Sequence, residues 1–250
     1  MAMRARGELS FLLLQARRAG DRVIDEEQDA FCRQLGVDRS QVVGHDIFED
    51  PFDLGRSKES DAVLVGGSGE FGVFDGHPRI DAMVQHLVDL AEDGHPIFAS
   101  CFGFQALVVG LGGSVVTDEE GAEVGTYSLT TTDEARTDPL FCDLPSVFNA
   151  QLGHKDRAER LPGGVTNLAA SVLCPYQALR IDGAPVYATQ FHPELTWADN
   201  RTRFERYMAQ YGRLFGEAEA QRKLDSHQPS PEANGLLGRF VDKIILGEGE

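Results

Sequence analysis

No stretch of this chain approaches the ~20 consecutive apolar residues that a membrane-spanning helix needs, so no bilayer crossing is expected. Arg4 and Arg6 precede the apolar Phe11-Leu-Leu-Leu14, but that run is too short for a signal peptide and no small-residue cleavage site follows. A cytoplasmic location is therefore expected. Basic charge is scarce too. Lys and Arg number 23 against 40 Asp and Glu, a net charge of −17. Nucleic-acid binding requires a basic surface to neutralise phosphates, so no nucleic-acid partner is expected. The four cysteines, Cys32, Cys101, Cys142 and Cys174, are scattered without a CxxC pair, which points to neither a zinc site nor a disulfide framework. The chain also lacks a GxxxxGK[ST] phosphate loop and any internal repeat.

What is present is an ordinary globular composition over 250 residues, 42% hydrophobic and 25% charged, enough for one large α/β domain or two small ones. Residues 9–15, 42–48, 61–65 and 96–99 read as strands, the third closed by Gly66-Gly67. Residues 25–35, 80–93 and 105–111 have helical spacing or follow such strands. This alternation predicts an open, mostly parallel sheet with helices on both faces. From Gly113 to Ile181 the texture turns to short strand candidates, a small β-rich insertion, at 124–129, 146–151, 166–170 and 177–181. A returning strand follows at 186–191, then one closing helix at 197–215. Residues 216–250 read as a polar linker, centred on 226–234, and a short amphipathic extension. Its apolar Leu236, Phe240 and Ile244 would pack on the domain or on a second copy of the chain, as in a homodimer.

Two segments carry chemistry. Phe98-Ala-Ser-Cys101-Phe-Gly-Phe-Gln105 puts a thiol on a turn between an apolar strand and a helix, with the small residues Ala99 and Gly103 two positions to either side. Gln190-Phe-His192-Pro-Glu194 ends another strand with a histidine and a carboxylate two residues apart. A thiol, a base and a group that orients the base are what cysteine-based acyl transfer requires. Taken singly, a buried cysteine in such a turn is more often structural and a His-Pro-Glu more often a surface turn. Taken together they are not, because in an open α/β sheet ligands bind beyond the carboxyl ends of the strands. Gly66-Gly67, Cys101 and His192 each follow directly on a candidate strand and should share that edge. The elbow's small flanks speak against a merely structural cysteine, and the helix starting after Cys101 would favour its thiolate. A competing pattern, Gly67-Ser-Gly69-Glu-Phe-Gly72, satisfies GxGxxG. It follows the third strand rather than the first and leads into a turn-rich stretch, so a dinucleotide site is not expected.

Cys101-Phe-Gly-Phe-Gln105, Gly66-Gly67 and Phe191-His-Pro-Glu194 resemble the class I (triad) glutamine amidotransferase domain over roughly residues 9–212. Gly125-Thr-Tyr, Asp138-Pro-Leu-Phe141, Gly153-His-Lys-Asp156, Leu161-Pro-Gly-Gly164 and Cys174-Pro-Tyr-Gln-Ala178 fall in the order of stand-alone members similar to the amidotransferase domain of GMP synthase. The resemblance implies a flavodoxin-like domain over residues 1–215, with the extension at 216–250. It implies a Cys101–His192–Glu194 triad that forms a glutamyl thioester, and an oxyanion hole from the backbone N–H groups of Gly67 and Phe102. Gly66, Gln105, Gly153 and His154 would meet the substrate, and neither metal nor organic cofactor is implied.

One departure stands out. Phe104 occupies a position where the family commonly has histidine, facing either the sheet–helix packing or the pocket rim. The chain contains no ATP-pyrophosphatase motif. Released ammonia would then pass to a separate synthetase subunit, or the enzyme would simply hydrolyse a γ-glutamyl amide. A γ-glutamyl peptidase or hydrolase acting on a conjugate is the alternative enzyme. A regulatory subunit that keeps the fold without catalysis is the alternative outside enzymes.

Overall fold

A computed structural model describes residues 4–248. In chain order the elements are β1 (Phe11–Gln15), α1 (Val23–Leu35), β2 (Val42–Asp46), α2 (Leu54–Ser57), β3 (Ala62–Val65), α3 (Pro78–Glu92), β4 (Ile97–Ser100) and α4 (Phe102–Gly110). Then come β5 (Ser114–Thr117), β6 (Glu123–Thr131), β7 (Val147–His154), β8 (Asp156–Arg160), β9 (Val165–Ala170), β10 (Ala178–Ile181) and β11 (Val186–Thr189). The chain closes with α5 (Trp197–Arg206), α6 (Met208–Phe215), α7 (Glu217–Asp225) and α8 (Pro231–Arg239), which runs on as a π-helical turn at Phe240–Ile245.

Nine strands form one sheet in the order β2-β1-β3-β4-β11-β10-β9-β6-β7. The first five are parallel, the flavodoxin order, and the remaining four are antiparallel. Most of the β-rich stretch therefore extends the main sheet, and only β5 and β8 pair separately. β1, β3, β4 and β11 are buried along their whole length, because helices cover both faces and leave no room for the polar alternation of a one-sided sheet.

Side chains alternate across the pleat and divide the core in two. Phe11, Leu13, Leu64 and Phe98 meet α1 and α8 on one face, while Leu12, Leu14, Val63 and Val65 meet α3 and α4 on the other. α1 contributes Phe31 and Leu35 and stops at Gly36, whose φ of 68° is left-handed. α4 is buried from Phe102 through Val108, as expected of a helix that is apolar all round.

The structure corrects two readings of the sequence. The single closing helix at 197–215 is two helices, broken at Tyr207 (φ −98°, ψ 11°). The polar stretch after Gly216 is helical rather than a linker, since Ala220 and Leu224 of α7, one turn apart, bury against Val124 and Phe204. The remaining connection, residues 226–230, is pinned to β7 where the Gln151 amide donates to the Gln228 carbonyl at 2.9 Å. The amphipathic extension packs on its own domain. Leu236, Leu237, Phe240 and Val241 are fully buried, and Phe240 stands edge-on to Phe98 with ring centroids 5.4 Å apart. Among the described residues no helix is long and apolar enough to cross a membrane.

Candidate active site

β4 ends at Ser100, and Cys101 turns the chain into α4 with φ 50° and ψ −96°, the one positive φ outside glycine among the described residues. Such a conformation costs on the order of 1–3 kcal/mol and persists only where the surroundings hold it. Here the Cys101 N–H donates to the Thr189 carbonyl of β11 at 2.7 Å, and the Cys101 carbonyl accepts from Gln105 N at 3.1 Å. Gly103 is required by contact. A Cβ there would lie 2.7 Å from Val65 Cβ and 2.9 Å from Ala99 Cβ. The tight helix–sheet approach lifts the thiol above the strand ends.

β11 delivers His192, the base expected from the sequence. Past Thr189 the chain continues through Gln190 and Phe191 to His192, whose N–H donates to the Gln151 carbonyl at 2.8 Å. His192 Nδ1 is 2.6 Å from Glu194 Oε1, and both side chains are buried. With Nδ1 committed to the carboxylate, Nε2 is the ring nitrogen left free, and His192 lines the same small cavity as Cys101. Burial by itself pulls the imidazole pKa down, yet the Glu194 carboxylate and the Cys101 thiol together outweigh it and leave it raised. For Glu194 burial works upward and His192 downward, with help from Arg203, and the net direction is down. The Glu194 carboxylate therefore favours the imidazolium that forms when His192 takes up a proton.

Gly67, at the end of β3, presents its backbone to this ring. A Cβ at 67 would stand 2.5 Å from His192 Cε1. The N–H groups of Gly67 and Phe102 donate to no protein acceptor among the described residues. They are left over at the strand end and at the first turn of α4, where helical N–H groups have no intrahelical partner. Both lie at the edge that holds Cys101.

Two adjoining cavities meet at the thiol. The larger, about 240 Å³, lies between the loop after β3 (Ser68–Gly72), the turn into β8 (Gly153–Asp156), Gln105, and Tyr207 and Tyr211 from the break between α5 and α6. The smaller, about 60 Å³, touches both Cys101 and His192 and is walled by Gly67, Leu195, Asn200 and Arg203. Burial, Tyr207 and Cys101 push the Tyr211 hydroxyl up to about 12, so it stays neutral.

The residues expected from sequence are brought together unequally. Cys101, His192 and Glu194 converge, with Gly67 and Phe102 beside them. Gln105 and Gly153 line the larger cavity. His154 reaches its wall, but the imidazole, 1% exposed, turns inward to Glu123 at 3.3 Å. Gly66 lines neither cavity. A Cβ at 66 would lie 2.5 Å from the Glu27 carboxyl, so its smallness admits the buried Arg17–Glu27 ion pair, 2.7 Å apart, and not substrate. Phe104 is fully buried in the core between the sheet and α3 and α4 and lines neither cavity, which decides for sheet–helix packing over the pocket rim. The GxGxxG stretch is a loop: Ser68 Oγ accepts from Phe71 N at 3.0 Å and donates to the Ala16 carbonyl at 3.1 Å, and no helix starts before Pro78. Tyr207, Tyr211, Asn200 and Arg203 were not singled out from sequence, because a helix read as unbroken to residue 215 gives no sign of bending over the thiol. Among the described residues no group of three or more His, Cys, Asp or Glu stands close enough to hold a metal ion.

Residues 31–208 match the model of the glutamine amidotransferase class-I family. A glutamine-hydrolyzing GMP synthase of Thermosipho melanesiensis is 33% identical over 153 residues, 61% of this chain and 28% of that protein. One subunit of the glutamine-hydrolyzing GMP synthase of Methanocaldococcus jannaschii is 33% identical over 124 residues, 49% of this chain and 63% of that protein. The chain thus spans under two thirds of the length of these relatives. A glutamine amidotransferase of Thermotoga maritima of known structure has the same fold, with a TM-score of 0.68 at 19% identity over 95% of this chain and 98% of that one. The chain belongs to the glutamine amidotransferase class-I family.

Proposed function

We propose that this protein hydrolyses the γ-carboxamide of glutamine through a thioester on Cys101 and releases ammonia. The observation that carries the reading is the convergence of a strained, elbow-borne Cys101 with the His192–Glu194 pair, linked at 2.6 Å, where two cavities meet. His192 takes the thiol proton, and the thiolate attacks the amide carbon. The resulting oxyanion is held by the Gly67 and Phe102 N–H groups. The carbon–nitrogen bond then breaks as His192 protonates the departing nitrogen. Water, activated by the same imidazole, next adds to the thioester, and the carbon–sulfur bond breaks to free glutamate. Glu194 keeps the imidazole oriented and balances its charge throughout.

The leaving group must depart where His192 can protonate it. Only the smaller cavity of the two touches both Cys101 and His192. It is the tighter of the two, about 60 Å³ against about 240 Å³. That supports ammonia, and hence an unsubstituted amide, over the bulky amine of a γ-glutamyl peptide or polyamine conjugate. The larger cavity, bordered by Gln105, Gly153 and the main chain near His154, would take the glutamyl part. Likeness to a relative that is itself one subunit of a GMP synthase supports an ammonia acceptor on a separate synthetase chain.

The test is labelling with a glutamine-derived diazoketone, followed by peptide mass spectrometry and an assay of ammonia release. Modification confined to Cys101, together with glutamine hydrolysis that disappears in Cys101→Ala, is the expected result. An unmodified Cys101 overturns the nucleophile assignment.

A further inference from the structure

Gln190 lies between β11 and His192, and its side chain is fully buried. Its Nε2 is 3.7 Å from Cys101 Sγ, and its Oε1 accepts from Gln105 Nε2 at 3.4 Å. Gln105 Nε2 also donates to the main-chain carbonyl of Asp156 at 2.8 Å. Amide orientation is decided by such partners, and here one partner allows a single answer. A backbone carbonyl can only accept, so Gln105 must turn its NH₂ toward Asp156. The second hydrogen of that NH₂ then points at Gln190, which must answer with its oxygen. The Gln190 NH₂ is thereby aimed at the sulfur.

We propose that Gln190 is a further catalytic group, an amide N–H donor that stabilises the Cys101 thiolate and holds its sulfur in line for attack. The proposal rests on Cys101 being the nucleophile. A hydrogen bond to a thiolate is charge-assisted and stronger than one to a neutral thiol, so the donor favours the ionised form. The thioester sulfur is neutral and a weak acceptor. The contact is therefore strongest before acylation and again when water expels the thiolate, the two points at which sulfur carries charge. An apolar side chain of equal volume would fill the same space without burying an amide, and the polar relay from Asp156 through Gln105 would have no endpoint.

The experiment uses the full chain carrying Cys142→Ser, because Cys142 is the exposed thiol. Alkylation of Cys101 by iodoacetamide is followed across about pH 5–10 by peptide mass spectrometry, since only the thiolate reacts. In Gln190→Met the inflection of the rate profile is expected to rise by about one pH unit, the size of a lost charge-assisted hydrogen bond. In Gln190→Glu it should rise further, because a carboxylate beside the sulfur opposes ionisation. Glutamine turnover should fall in kcat more than it changes in KM. Folded variants whose profiles coincide with the parent overturn the proposal. If circular dichroism shows Gln190→Met unfolded, Gln190→Glu, which keeps the volume and can still accept from Gln105, decides alone. A parent protein that the diazoketone leaves unlabelled at Cys101 defeats the nucleophile reading itself. A labelled parent with unshifted variants defeats only the role of Gln190.

Discussion

Replacing Gly67 with alanine adds one methyl group against the imidazole of His192, the proposed base. The new Cβ would stand 2.5 Å from His192 Cε1, and the next nearest atoms, at 3.5 Å, are the two ring nitrogens of the same imidazole. Ordinary carbon–carbon contact begins near ~3.5 Å, so the ring must retreat by about 1 Å. It cannot do so freely, because Nδ1 is bonded to Glu194 at 2.6 Å and both residues are buried. Gly67 itself has no positive φ, so alanine meets no backbone strain and keeps the N–H assigned to the oxyanion. A misplacement of about 1 Å in a catalytic array costs ~100-fold in rate, equivalent to about 2.7 kcal/mol of transition-state stabilisation. The expected outcome is a kcat for glutamine near one hundredth of the parent's, with KM and the melting temperature little changed. Gly163→Ala is the control, since a Cβ there meets nothing within 4 Å, and it should be silent in both measurements. Steady-state ammonia release and differential scanning calorimetry suffice. A folded Gly67→Ala protein whose kcat stays within about threefold of the parent would refute the contact between ring and strand end as the constraint on the base.

Other outcomes follow from the same structure. Glu194→Gln preserves shape but allows the amide to offer a hydrogen to Nδ1 and stabilise the wrong tautomer, so kcat should fall by up to ~10⁴; a loss below tenfold would deny Glu194 its orienting role. The His192–Glu194 pair should also shape stability against pH. His192, raised above its usual 6.5, contributes fully below that value and loses its contribution as pH climbs through the raised value, while Glu194, lowered from 4.5, loses its contribution as pH falls through the lowered value. The stability difference between the parent and His192→Asn, from urea melts, should therefore be largest between about pH 4.5 and 6.5 and shrink above it; a difference that grows with rising pH would reverse the sign. Phe240→Ala empties a fully buried site beside Phe98 and Tyr187 and should cost about 3–5 kcal/mol in unfolding free energy. Its elution volume in size-exclusion chromatography should not move, and a shift in apparent mass with unchanged stability would mean that the extension serves a contact between copies of the chain instead.

The parallel strands, the cysteine elbow and the His-Pro-Glu were legible in the chain because each is a local matter. Ala62–Val65 and Ile97–Ser100 are continuous apolar runs that only a doubly covered sheet accommodates. The smallness of Ala99 and Gly103 announces a turn with no room. Composition misled at α7, where burying Ala220 and Leu224 suffices to seat a helix whose other residues are mostly charged. It misled again at Tyr207, because a break in a helix that keeps its period has no local marker and is decided by what the helix packs on.

By itself, then, the sequence determined which residues could do acyl-transfer chemistry and which strand ends would present them, since side-chain type and hydrophobic period are written in order along the chain. Only the tertiary structure decided distance and direction. It set Gly66 against Glu27, buried Phe104 away from both cavities, and brought Tyr207 and Tyr211 to the cavity that Cys101 lines. It also aimed the Gln190 amide at the sulfur through a carbonyl 34 residues earlier in the chain. Those are relations between elements far apart in the chain, and close packing alone settles them.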